Sequence, residues 1–374
     1  MKARSLWMMV VAAVAALLAA AWVVGSRAPE AALPQPGPLA PGLAKALDSV
    51  TRVRIVGAGD ATLATLDRGA DGWSVAERSG YRADIEKLRA LLQTLATAQR
   101  VEARTRVPER YAQLGVEDVS AADARGVRVE VVTPQQTHAW IIGNNPVRGV
   151  GTYVRAADQA QSWQIGTNLA VERSAANWLD RNLVDIGANR VVGIEVAPAQ
   201  GPGFALARTE DDPASDFAFV TLPKGRRPAE GFRREALAGV LSGLMFDDVF
   251  TPEQRAVPEQ VQRTIYRLED GRELEIHSWT QDSHTLATFT QRLDQARADA
   301  WRARQAERQV TASSNDAADG ADAAAPEVDG AADIDPAQAV DAFQKAHAGW
   351  VYQLPGYKAS NLDKPLEAYL EPAK

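Results

Sequence analysis

The chain has 374 residues, a formal net charge of −7 and no cysteine. Without a thiol there is no disulfide, no thiolate nucleophile, no Fe–S cluster and no Cys-based zinc site. An acidic chain with no basic stripe to neutralise phosphates also argues against a nucleic-acid partner.

The first predicted element is the run Leu6 to Val24, LWMMVVAAVAALLAAAWVV, which carries no charge. Its length suits a transmembrane helix crossing the ~30 Å hydrocarbon core of a bilayer. Lys2 and Arg4 precede it, so the positive-inside tendency puts the N-terminus in the cytoplasm and the bulk of the chain in the periplasm. A cleaved signal peptide is the competing reading. The apolar run is longer than the usual h-region, and Trp22-Val23-Val24 stand where small residues would precede a cleavage site. The segment 27–42 is rich in Pro and Ala and reads as a linker, with order beginning near Leu43.

Two modules are expected, 43–187 and 188–374. In the first, Arg52–Val56, Thr62–Leu66 and Gly72–Val75 have the alternation or turn signals of strands. Asp84 is placed to cap a helix whose stripe is Ile85, Leu88, Leu91, Leu92 and Leu95. An extended stretch follows at Arg100–Glu102, then a compact turn at Tyr111–Val116. Four strands are predicted at 127–133, 138–142, 151–155 and 162–165, and a short helix at 175–183.

The second module restarts at Val191–Val196, with further strands at 203–208 and 217–222 and a helix over Arg234–Met245. Asp270-Gly271 marks a hairpin between 262–269 and 272–278. An insertion occupies about 280–347. It comprises a charged helix over Phe289–Gln309, a solvated arm with partner binding as the alternative, and an Ala/Asp/Gly-rich stretch, 310–335, expected to lack order. Gly349–Leu354 and Asn361–Leu366 echo Ser162–Ile165 and Asn177–Leu183. The fold expected is therefore α+β: an N-terminal transmembrane helix followed by tandem, mostly antiparallel β-sheet modules, each with one main packing helix.

No nucleotide-binding loop, HExxH or GxSxG is present. Of four histidines, His138, His277, His284 and His347, only His277 and His284 are placed to approach each other, and two imidazoles alone are poor grounds for a metal site. Asp247-Asp248 is the nearest to an acid/base pair, and a C-terminal turn explains it as well. The tryptophans 73, 140, 163, 279 and 350 fall on or beside strands, where indoles fill cores; a sugar-stacking platform is the alternative. The most distinctive surface feature is the loop 143–151, GNNPVRGVG. Asn144, Asn145, Arg148 and the neighbouring Tyr153 are the candidate ligand or partner surface. No catalytic residue, metal ligand or cofactor is assigned.

Several segments in combination carry a family resemblance: Val53–Val56, Asp71-Gly72-Trp73-Ser74-Val75, Ala83–Leu88, Tyr111-Ala112-Gln113-Leu114-Gly115-Val116, Ile142-Gly143 with Gly151-Thr152-Tyr153-Val154, and Trp178-Leu179-Asp180-Arg181-Asn182-Leu183. The chain resembles the bacterial domain-of-unknown-function family DUF4340 over most of 43–276 and again at Trp350. Members of that family are typically encoded beside gliding-motility-type ABC transporter genes. The resemblance thus implies a single-pass inner-membrane protein serving as a non-catalytic accessory or scaffold for an ABC permease and its ATPase. It supplies no catalytic residues, and the long acidic insertion departs from its pattern. A periplasmic module binding glycan or peptidoglycan is the alternative, and an envelope hydrolase a third.

Overall fold

The computed structural model describes residues 13–16, 35–209, 215–316 and 334–372. Among them no helix is long and apolar enough to cross a membrane, which corrects the expected fold class. Of the apolar run 6–24 only residues 13–16 are described, as one helical turn. The rest of that run and residues 27–34 of the linker lie outside the described residues. Order also begins before Leu43. Gly37–Pro38 pairs with the strand Gln99–Ala103, and Leu39 and Ala40 are buried.

The architecture is α+β and dominated by antiparallel sheet. Strand Arg52–Val56 buries Val53, Ile55 and Val56. The Asp84 carboxylate accepts the Lys87 amide at 2.9 Å, capping helix Ile85–Thr97, whose Leu88, Leu91, Leu92 and Leu95 are buried. Ile85 is the exception in that stripe. It sits in the first turn and is largely exposed.

The chain forms two compact units, one of residues 1–50, 54–62 and 89–171, the other of residues 51–53, 63–88 and 172–374. In the first, neighbouring strands run Gly37–Pro38, Gln99–Ala103, Ser162–Ile165, Thr152–Ala156, Thr137–Ile142 and Val127–Val132. Val127, Val129 and Val131 point inward while Arg128 and Glu130 point out, the period-two pattern of a strand with one wet face. Arg128 donates to Glu130 at 2.7 Å and to Asp60 at 3.1 Å on that outer face. Val56, Tyr111, Val116, Val119 and Ile141 form a core cluster, with Leu114 and Tyr153 against it.

In the second unit, Gly72–Val75 pairs back on the strand before it and forward on Tyr81–Arg82. An eight-stranded sheet follows in the order Ala218–Phe219, Phe204–Ala207, Val191–Ala197, Gln262–Leu268, Arg272–Gln281, His284–Leu293, Val351–Gln353, Asp248–Phe250. The Asp270-Gly271 hairpin is present. Gly271 has φ +84°, and a β-carbon there would lie 2.5 Å from the Ala298 amide, so two constraints demand glycine. Asp270 is buried and accepts from Arg190 at 2.9 Å and Arg272 at 2.8 Å.

Three predicted helices change. The one over Arg234–Met245 shortens to Phe232–Ala238, because Gly239 begins a tighter turn, Gly243 adopts φ +53°, and Leu244–Met245 pairs with Asn182–Val184. The one over 175–183 shrinks to a 3-10 turn at Ala175–Trp178. The charged helix starts later, at Gln295, since 284–293 is a strand matched residue for residue with Arg272–Gln281. That helix runs on to Asp316, so the first part of the stretch expected to lack order is helical; residues 317–333 lie outside the described residues. An unanticipated helix, Pro336–His347, opens with Asp335 accepting the Ala337 amide and Pro336 at its first position.

Candidate partner surface and the polar centres

The loop 143–151 joins strands Thr137–Ile142 and Thr152–Ala156, and its base is fixed by backbone geometry. The Gly143 amide donates to the Tyr153 carbonyl at 2.8 Å, the Asn144 amide to the Leu114 carbonyl at 2.8 Å, and the Tyr153 amide to the Asn144 carbonyl at 2.9 Å. A β-carbon on Gly143 would overlap the Leu114 carbonyl oxygen, which is why the compact turn Tyr111–Leu114 can approach so closely. At the far end the Gly151 amide donates to the Asn168 side chain at 2.8 Å, and Gly151 has φ +132°.

The four sequence-nominated residues divide on this frame. Asn145 is part of the anchor: its Oδ1 accepts from the Thr152 hydroxyl at 2.9 Å, and that hydroxyl accepts the Leu169 amide at 2.8 Å. Asn144 is exposed at the base, against Gly115. Tyr153 is half-buried on the core cluster with the Arg104 guanidinium 5.4 Å from its ring centre. Only Arg148 belongs to the displayed tip, together with the fully exposed Val147 and the exposed Val150.

The histidines do not gather. His277 lies opposite Thr288 and bonds Glu275 at 2.7 Å, whereas His284 lies opposite Gln281 at the strand end. His138 stacks on Trp140, with ring centres 5.5 Å apart. Among the described residues no group of three or more His, Asp or Glu side chains is placed to hold a metal ion. Asp247 and Asp248 are each tied to an arginine, Arg181 at 2.8 Å and Arg78 through two bonds at 2.5 and 2.8 Å. Trp140, Trp163 and Trp279 are buried, and Trp178 is deeper still, its indole N–H donating to the Glu172 carbonyl at 3.1 Å.

Two polar centres had no signal in the sequence. In the first unit Arg155 is only 4% exposed. Its guanidinium donates to the carbonyls of Val116 at 2.9 Å and Gln159 at 3.1 Å, and to the Asp118 carboxylate, and it lies 4.6 Å over the Tyr111 ring. In the second unit His347 is 5% exposed. Its Nδ1 is 2.9 Å from the Tyr352 hydroxyl, which is 3.5 Å from the Tyr81 hydroxyl, within a nest of Phe246, Phe289, Phe343 and Trp350. Burial, reinforced by the Arg82 charge and opposed by Asp180, pushes the His347 pKa down to about 4; burial raises that of Tyr352 well above the ordinary phenol range.

This is a β-rich α+β protein dominated by antiparallel sheet. The sequence profile of the domain of unknown function DUF4340 matches residues 73–313, well over half of the chain. The chain belongs to that family. Comparison with curated proteins and with solved structures gives no match.

Proposed function

We propose that the chain is a non-catalytic accessory or scaffold subunit of an ABC-type transport system, working on the periplasmic side of the bacterial inner membrane. The observation that carries this reading is the 143–151 hairpin: a fully exposed Val147 beside Arg148, held on a base with no slack. Apolar side chains displayed to solvent beside a charge, on a loop whose two ends are held by hydrogen bonds, suit protein recognition. The partner class, a permease with its ATPase, comes from the family resemblance. Asp247 and Asp248, the best acids for a hydrolase, support scaffolding in the same direction, since each is held by an arginine.

Crosslinking in intact cells, gentle membrane extraction and mass spectrometry test the proposal. Recovery of an ABC permease and its ATPase, diminished when residues 146–150 are shortened, is the expected result. Recovery of glycan or peptidoglycan fragments alone would replace it with the envelope-ligand reading.

A further inference from the structure

The helix Pro336–His347 returns the chain from the helical excursion to the last strand of the second unit's sheet. It lies along strand His284–Leu293, where the Gln344 side-chain amide donates to the Gln291 carbonyl at 2.6 Å. Its C-terminal end is held by a small set of polar contacts. His347 bonds Tyr352 on strand Val351–Gln353. Arg82, on strand Tyr81–Arg82, donates to the Ala346 carbonyl at 3.2 Å and to the Asn182 carbonyl at 3.1 Å, and pairs with Asp180 at 2.9 Å. The ionisable groups facing His347 are therefore Tyr352, Tyr81 behind it, Arg82 and Asp180; the flanking Phe343 and Phe289 add no charge.

We propose that His347, Tyr352 and Arg82 form an acid-sensitive latch that holds the end of helix Pro336–His347 against the sheet while the imidazole is neutral and releases it when the imidazole gains a proton. The geometry sets the sign. A protonated ring in this place would be a buried cation beside the partly exposed Arg82, amid aromatic rings and two phenols, with the one nearby carboxylate, Asp180, already bound to Arg82. Released into water, the same ring protonates freely. The helix dipole favours a cation at a helix C-terminus by a fraction of a kilocalorie to about 2 kcal/mol, but here Arg82 already donates to the last turn.

The closed state has a pKa of about 4 and the open state the ordinary 6.5. A base whose closed-state pKa is depressed keeps the latch fully stable above about pH 6.5 and loses that stability as pH falls from there to about 4, below which no more is lost. Going from pH 7.5 to pH 5 should raise the opening constant by about 25-fold.

The test is amide hydrogen exchange of the full chain at pH 7.5 and 5, corrected for intrinsic rates, comparing Pro336–His347 and Val351–Gln353 with the internal reference Val127–Val132. The expected result is a roughly 25-fold rise in opening of the first two segments alone. The rise should vanish in His347→Gln, which cannot titrate, and shrink in Arg82→Gln, which removes the opposing cation. Equal acid responses in the unaltered chain and His347→Gln would overturn the proposal. If either variant does not fold, NMR titration of the His347 ring in the unaltered chain decides: an ordinary pKa rejects the latch, and a strongly depressed one sustains it.

Discussion

Arg155 in one unit and His347 in the other are buried to the same degree, yet the protein handles them in opposite ways. A guanidinium is a permanent cation, and the site of Arg155 is accordingly built of acceptors: backbone carbonyls, a carboxylate and an aromatic face. His347 can shed its charge, and its site offers one hydroxyl and a ring of aromatics. Where neutralisation is impossible the fold must supply full solvation; where it is possible, partial solvation suffices at neutral pH and fails in acid. The first centre is unconditional and the second conditional.

The largest effect expected from breaking this contrast is at Arg155. Arg155→Met should cost about 3 kcal/mol, because buried carbonyls lose their donor. Urea unfolding should show a lower midpoint, and the loss should be the same at pH 5 and pH 8, since no guanidinium titrates in that range. Arg155→Lys should recover only part of it, an ammonium being unable to reach around the same fork of acceptors. Next comes Gly143→Ala. Its β-carbon would meet the Leu114 and Gly115 carbonyls and sit 2.8 Å from Val116 Cγ1, so the turn must shift, at about 1–3 kcal/mol. Tyr352→Phe is smaller, about 1 kcal/mol at pH 7.5, from the loss of the buried hydrogen bond to the neutral His347 ring and the longer contact to the Tyr81 hydroxyl. A cost at Tyr352 equal to that at Arg155 would erase the distinction between the two centres.

Much of the framework is legible in the sequence where neighbours along the chain decide the outcome. The inward valines of 127–132, the Asp84 cap and the Asp270-Gly271 turn are all local. The failures occur where distant residues decide. The acceptors of Arg155 come from Val116, Asp118 and Gln159, and the nest around His347 from positions 81, 246, 289 and 352. No window of sequence contains either. The Arg234–Met245 helix departs from expectation for the same reason: its apolar spacing is helical throughout, but Leu244 and Met245 are claimed by a distant strand partner at 182–184. The Asp335-Pro336 start is a sound helix signal that an Ala/Asp-rich context obscured. Among the candidate site residues, adjacency suggested one surface, whereas the strand register turned Tyr153 onto the core and spent Asn145 on Thr152.

The smallest effect on stability is the one most telling for function. Val147 and Arg148 are exposed at the hairpin tip. Val147→Ser with Arg148→Ala should change stability by less than about 0.5 kcal/mol, as for surface positions free of special geometry. Truncating side chains that insert into a partner typically costs about 1 kcal/mol or more of binding, enough to lower crosslinked yield severalfold. Asn145→Ala gives the complementary readout. It loosens the anchor at Thr152 without touching the tip, so it should lower stability by about 1 kcal/mol and affect capture less. If the tip variant captures the same partners at the same yield while remaining folded, the hairpin is only a connection, and the recognition surface must be sought elsewhere on the chain.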